Sequence, residues 1–270
     1  MNPVAVELAE VSLWLNVIAD GAHVPWFGNQ LICGNSLIGA RRQVFKAELI
    51  GKPKRGNPTW LTSVPDRVMP GKERPQGSIY HFLLPDKGMA DYTDKAVKTL
   101  VFQNMAAVKR WKKEFIRPFS PGEIKQLVRL SEAVDDLYKE HVKKSQELRK
   151  MTRDPMDIYG QPPETGNATS VQQKDRLFGT EQLSQGLRNS TPYKRLKLAM
   201  DYWCALWFWP LEKKDLLPTR DEAIGDMMNI LLGGCFKRRP EFSFFWILIC
   251  PRKKRSPCKR SFPSAPTWAL

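Results

Sequence analysis

The residues of this chain that could do chemistry fall into a few groups. Trp203, Trp207 and Trp209 lie close together and could stack nucleobases on their ring faces. At i, i+4 spacing on a helix, rings of this kind more commonly form a packed face. Lys109-Arg110, Lys112-Lys113 and Lys143-Lys144 could contact phosphates. Glu114, Glu140 and Glu147 interleave with them, which is the pattern of a solvated helix face. His23, His81 and His141 are scattered and show no metal-ligand spacing. Cys33 precedes a turn at Gly34-Asn35-Ser36 with no His or Asp near it in sequence, so it reads as a buried packing residue.

Composition narrows the classes. The chain has 270 residues, 42% of them hydrophobic, with mean hydropathy −0.43. That excludes a wholly disordered chain and a polytopic membrane protein. The most apolar run, Phe242 to Cys250, is too short to span a bilayer. Five Cys without a CxxC pair argue against a zinc site or a disulfide framework, and a reducing, cytoplasmic setting is expected. The formal net charge is +15, unevenly spread. From Cys235 to Leu270 nine Lys or Arg face a single acid, Glu241, so those residues supply +8 and the first 234 supply +7.

The elements that must position these groups follow from local signals. Asn2 can cap a helix with Pro3 at its first position, and apolar residues lie almost all round it. This predicts a buried helix ending near Asp20-Gly21. Gln30 to Cys33 reads as a short strand, making residues 1–40 a partial α/β unit. Residues 41–92, with six Pro and five Gly by Asp91, read as an irregular surface excursion. Residues 93–153 read as a helical hairpin whose second helix opens at the capping box Ser120-Pro121-Gly122-Glu123. Residues 154–190 read as a polar linker. Residues 191–234 form an aromatic-rich helical segment, with a helix from Thr191-Pro192 to Trp209 and another from Thr219 to Gly233-Gly234. Residues 235–270 carry no helical period, alternation or cap, so a basic tail, out of frame or disordered, is expected.

Asn2-Pro3-Val4-Ala5-Val6-Glu7-Leu8-Ala9, Leu13-Trp14-Leu15 and Cys33-Gly34-Asn35-Ser36-Leu37-Ile38-Gly39 carry a resemblance. They are similar, in order and spacing, to landmarks of adenine-N6 DNA methyltransferases from restriction and phage-defence systems. Pro25-Trp26-Phe27-Gly28, Gly39-Ala40-Arg41-Arg42, Tyr80-His81-Phe82-Leu83-Leu84-Pro85, Asp201 to Pro210 and Leu216 to Glu222 resemble the large class I methyltransferases of DISARM-type defence. The resemblance covers residues 2 to about 234.

The resemblance implies a partial Rossmann-like α/β sheet with a largely helical insertion and an irregular C-terminal tail. It implies S-adenosylmethionine as cofactor, with Asn2, Pro3, Asn35 and Ser36 at the cofactor site and Asn35-Ser36 at its adenine ring. An Asn in a turn also serves backbone geometry alone. Double-stranded DNA is the implied partner, with other defence-system subunits, and no membrane. The family's target adenine is flipped from the duplex and held by an Asp/Asn/Ser-Pro-Pro-aromatic motif. Asn57-Pro58-Thr59-Trp60 is the nearest string, with Thr in place of the second Pro, and a turn with a surface Trp is the favoured reading. Gln161-Pro162-Pro163-Glu164 lacks the aromatic. Met1 falls between the position of the family's ribose-binding acid and Asn2-Pro3, so the chain is expected to be an internal fragment, inactive alone. The alternative is a non-catalytic basic nucleic-acid-binding module with the tail as its electrostatic arm.

Overall fold

The computed structural model describes residues 3–18, 26–27, 30–31, 39–51, 53–54, 57–92, 102–155, 160, 169–183 and 191–233, all inside one compact unit, Met1–Lys237. The expected basic tail lies outside the described residues. The elements run α1 (Pro3–Val17), β1 (Gln43–Lys46), α2 (Ala47–Gly51), β2 (Pro53–Lys54), β3 (Asn57–Pro58), β4 (Asp66–Arg67) and β5 (Ser78–Tyr80). They continue as α3 (Phe102–Phe115), α4 (Pro121–Met151), α5 (Val171–Leu183), α6 (Pro192–Ala205) and α7 (Arg220–Leu232). Short 3-10 turns lie at Thr59–Thr62, His81–Leu83 and Leu211–Leu216. The architecture is mixed α/β and mainly helical.

Residues 41–92 are not a surface excursion. They form the three-stranded sheet, in the order β4-β1-β5, and much of the core. Val44 faces Tyr80 and Phe45 faces Ile79 across the antiparallel β1–β5 pair. Val44, Ile50, Trp60, Ile79, Tyr80, Phe82 and Leu84 are all buried. Gly71 and Gly77, both at positive φ, lie in turns between strands too short to show alternation. Every strand pairing among the described residues is antiparallel, so none of them belongs to a parallel, Rossmann-like sheet. The strand expected at Gln30–Cys33 is a turn where it is described, with Gln30 and Leu31 both donating backbone N–H to Phe27 O at 2.9 and 3.2 Å. A short apolar run does not distinguish the two by periodicity.

α4 is the central support. Ser120 Oγ accepts the Glu123 N–H at 3.3 Å and the Glu123 carboxylate accepts the Ser120 N–H at 2.6 Å, closing the expected capping box. Leu127, Leu130, Ser131, Val134 and Leu137 form its buried stripe, which packs on α6, α7 and β5. Ser131 Oγ accepts the Tyr80 N–H at 3.2 Å, and Asp135 accepts Tyr80 Oη and Arg74 Nε at 2.7 Å each. The sheet is thereby fixed to the helix by fully partnered polar groups.

Among the described residues, α3 does not pack mainly along α4 as the expected hairpin would. α3 packs instead on the Leu211–Leu216 turn, where Met105 and Val108 meet Ala90 and Leu211 and Trp111 Nε1 donates to Pro218 O at 2.7 Å. α6 stops at Ala205, short of Trp209, because Trp207 and Phe208 tighten into bonds to Cys204 O and Ala205 O. α7 keeps both predicted ends: the Thr219–Glu222 capping box and Gly233 in the left-handed region at φ +73°. The stretch expected as a linker contains α5. Its Ser170 Oγ accepts the Gln173 N–H at 3.3 Å, a short polar cap that resembles linker composition in sequence.

Two arginines close helix ends that cannot close themselves. Arg220, 6% exposed, donates Nε and Nη2 to Phe115 O at 3.1 and 2.5 Å and Nη1 to Pro118 O at 3.1 Å, and also reaches Arg117 O. Its guanidinium lies 4.1 Å from the centre of the Phe119 ring and 3.6 Å from Glu123. Burial lowers its pKa to about 10, with Glu123 opposing. Arg195 does the same for α7, donating to Ile230 O at 3.1 Å and to Leu231 O.

α1 departs most from expectation. It forms where the sequence placed it, ending at Val17, but it is not buried. Leu8 is 63% exposed and Leu15 62%, and Val4, Val11, Leu13, Val17 and Ile18 are exposed as well. An all-round apolar helix needs a covering surface, and none of the described residues provides one.

Candidate functional site

Of the residues expected at a cofactor site, Asn2, Asn35 and Ser36 lie outside the described residues, and Pro3 is the first residue of α1. The resemblance implies a Gly-rich turn after a parallel strand, where backbone could approach S-adenosylmethionine closely. The described strands are all antiparallel, so no turn of that kind lies among the described residues.

The tryptophans are structural. Trp203 Nε1 donates to Leu84 O at 2.8 Å and Trp209 Nε1 to Lys213 O at 2.8 Å. Trp203 and Trp207 pack with ring centres 5.4 Å apart, and Trp207 lies so close over Gly88 that a Cβ there would sit 2.2 Å from its Cζ3. The rings are packed as expected, but not as one helix face, because α6 ends at Ala205 and Trp207 and Trp209 lie beyond it. Asn57-Pro58-Thr59-Trp60 brings a correction, because Trp60 is not a surface residue. It is 2% exposed, donates Nε1 to Pro85 O at 3.2 Å and meets the Phe119 ring at 5.3 Å. A ring enclosed in this way has no face for a flipped base.

The remaining candidates also resolve to ordinary contacts. Lys144 pairs with Glu140 at 2.8 Å and Lys112 with Asp91 at 3.7 Å, as on a solvated face. His23 and Cys33 lie outside the described residues, and among these no three His, Cys, Asp or Glu side chains group as metal ligands. His141 packs against Tyr193, ring centres 5.5 Å apart. His81 accepts the Arg41 N–H at 3.0 Å and meets Trp203 edge-on, and burial holds its pKa below the ordinary value. Burial pushes the Cys204 thiol pKa up, so it is no activated nucleophile.

One arrangement went unseen in the sequence. Where the end of α4 meets the start of α5, a cleft of about 440 Å³ is lined by Arg149, Thr152, Arg153, Asp154 and Lys174, with Trp26 and Gln30 closing one side. Lys174 is 1% exposed and pairs with Asp154 Oδ2 at the cleft wall. Asp154 Oδ1 is buried and has no hydrogen-bond partner among the described residues. Trp26 Nε1 donates to Asp175 Oδ1 at 2.9 Å, which fixes the indole at the rim. The lining side chains include three cations and one carboxylate. The volume lies within the roughly 300–1,000 Å³ typical of small-molecule sites. No spacing rule reveals such a site, because the hydrogen bond between Trp26 and Asp175 spans 149 positions of sequence.

Comparison of the chain with protein-family models, with curated proteins and with solved structures finds no match. No helix among the described residues is long and apolar enough to cross a membrane.

Proposed function

We propose that the chain carries part of an S-adenosylmethionine-dependent DNA adenine-N6 methyltransferase of a restriction or phage-defence system. In this reading α1 flanks a Rossmann-like sheet, and α3 to α7 with the small antiparallel sheet form an insertion beside it. The observation that carries the reading is α1 itself. Its sequence holds most of the first family landmark, its helix begins at Pro3, and most of its apolar side chains are exposed. A helix of that composition belongs between a sheet and a second layer. Double-stranded DNA and other subunits of the defence system are the partners this reading supplies.

In this reading the residues present supply only part of a cofactor site, so calorimetry with S-adenosylmethionine is expected to show no saturable heat. Tight binding would overturn the assignment. A second check needs only the coding DNA. Translation downstream of Gly234 in the other two frames is expected to contain an Asn-Pro-Pro-aromatic string, and its absence from both counts against the reading.

A further inference from the structure

We propose that the cleft between the end of α4 and the start of α5 is a nucleotide-binding site, a proposal independent of the methyltransferase reading. Three features of the lining specify the ligand. Arg149 and Arg153 are exposed side chains bordering the same cavity, and guanidinium forks match the oxygens of a phosphate bidentately. Asp154 gives one oxygen to Lys174, and its buried Oδ1 has no donor among the described residues. A buried carboxylate oxygen in that state carries an uncompensated desolvation penalty, which an N–H donor of the ligand would relieve. Trp26, half-buried and held by Asp175, offers a ring of fixed orientation at the rim.

A ligand that answers all three carries a phosphate, an amino-bearing edge and a flat ring within a volume of about 440 Å³. A purine nucleotide with an exocyclic amino group fits this description. Simple anions satisfy only the arginines, and a nucleoside without phosphate satisfies only Asp154 and Trp26. The nucleotide could be free or a unit of single-stranded nucleic acid. The chemistry read by the cleft is the same in both cases.

The test is calorimetric titration of the full chain with AMP, purine riboside 5′-monophosphate, adenosine and inorganic phosphate, with a labelled deoxyadenylate decamer as a separate arm. AMP is expected to saturate one site. Purine riboside monophosphate, which lacks the amino group, should bind about fivefold or more weakly, and adenosine and phosphate about tenfold or more weakly than AMP. The double variant R149A/R153A should weaken AMP about tenfold or more. Both arginines are exposed, so a thermal melt should show that variant still folded. Binding of the decamer but not AMP, lost in the double variant, identifies nucleic acid as the source. Binding of AMP at least as tight as the decamer identifies a free nucleotide. Unchanged binding in a folded double variant, equal affinity with and without the amino group, or no binding of either AMP or decamer at about millimolar concentration would each overturn the proposal.

Discussion

α1 and α4 are both helices that the sequence announces clearly, and their surroundings are opposite. α4 is amphipathic, and its stripe from Leu127 to Leu137 meets β5, α6 and α7. α1 is apolar in every direction, yet Leu8 and Leu15 are more than half exposed. Apolar content therefore does not by itself say that a helix is buried. An amphipathic stripe specifies both where the core is and where it ends, and the rest of the chain can supply one matching surface. A helix apolar all round needs several, and the described residues supply none.

The packed surroundings of α4 are disturbed most by removing what holds them in place. Arg220→Ala takes a buried guanidinium from the carbonyls of Phe115, Arg117 and Pro118 and leaves Glu123 without its buried cation. Denaturant unfolding is expected to show a loss of about 3–5 kcal/mol, the range for breaking one side of a buried charged network. Leu130→Ala in the buried stripe should cost about 2–5 kcal/mol, through lost transfer energy and the cavity left behind. A loss below about 0.5 kcal/mol for either, the usual range for surface substitutions, would mean that α4 is not the support described here.

What was legible in the sequence follows the range of the interaction. The caps at Ser120, Thr191 and Thr219 and the stop at Gly233 are local, involving residues three or four apart, and all stand as read. The sheet was missed because its strands are two to four residues long and pair across gaps: Val44 meets Tyr80, and nothing near either residue says so. Trp60 was placed on the surface for the same reason, since its burial depends on Pro85 and Phe119. α5 was hidden in a polar composition that reads as linker until Lys174 is paired with Asp154. Of the expected cofactor residues only Pro3 is described, so that site was not legible in the fold at all.

His81 gives a smaller and pH-dependent effect on the packed side. Burial lowers its pKa in the folded chain, while the Arg41 carbonyl and Asp86 oppose that shift. Between the folded value and the ordinary value near 6.5, the unfolded chain holds a proton that the folded chain does not. Stability from this residue is therefore complete above pH 6.5 and is lost as pH falls through the folded pKa. The slope cannot exceed about 1.4 kcal/mol per pH unit for one proton. Unfolding free energies measured across that window should fall more steeply for the natural chain than for His81→Gln, and parallel curves would exclude the contribution.

Substitutions on the exposed face of α1 should change stability least. Leu8→Glu and Leu15→Glu place charges on side chains already 63% and 62% exposed, so neither removes a core contact. The unfolding midpoint should move by less than about 0.5 kcal/mol in equivalent free energy, as for ordinary surface changes. The same change at Leu130, 1% exposed, would force a carboxylate into the core and should prevent folding. Self-association should respond in the opposite sense. A helix with apolar residues on every face is a contact surface for other molecules, and light scattering of the double variant should show less aggregation than the natural chain. If the two glutamates instead lower stability by several kcal/mol, α1 is covered in solution by another part of this chain. The contrast with α4 would then be one of partner and not of exposure.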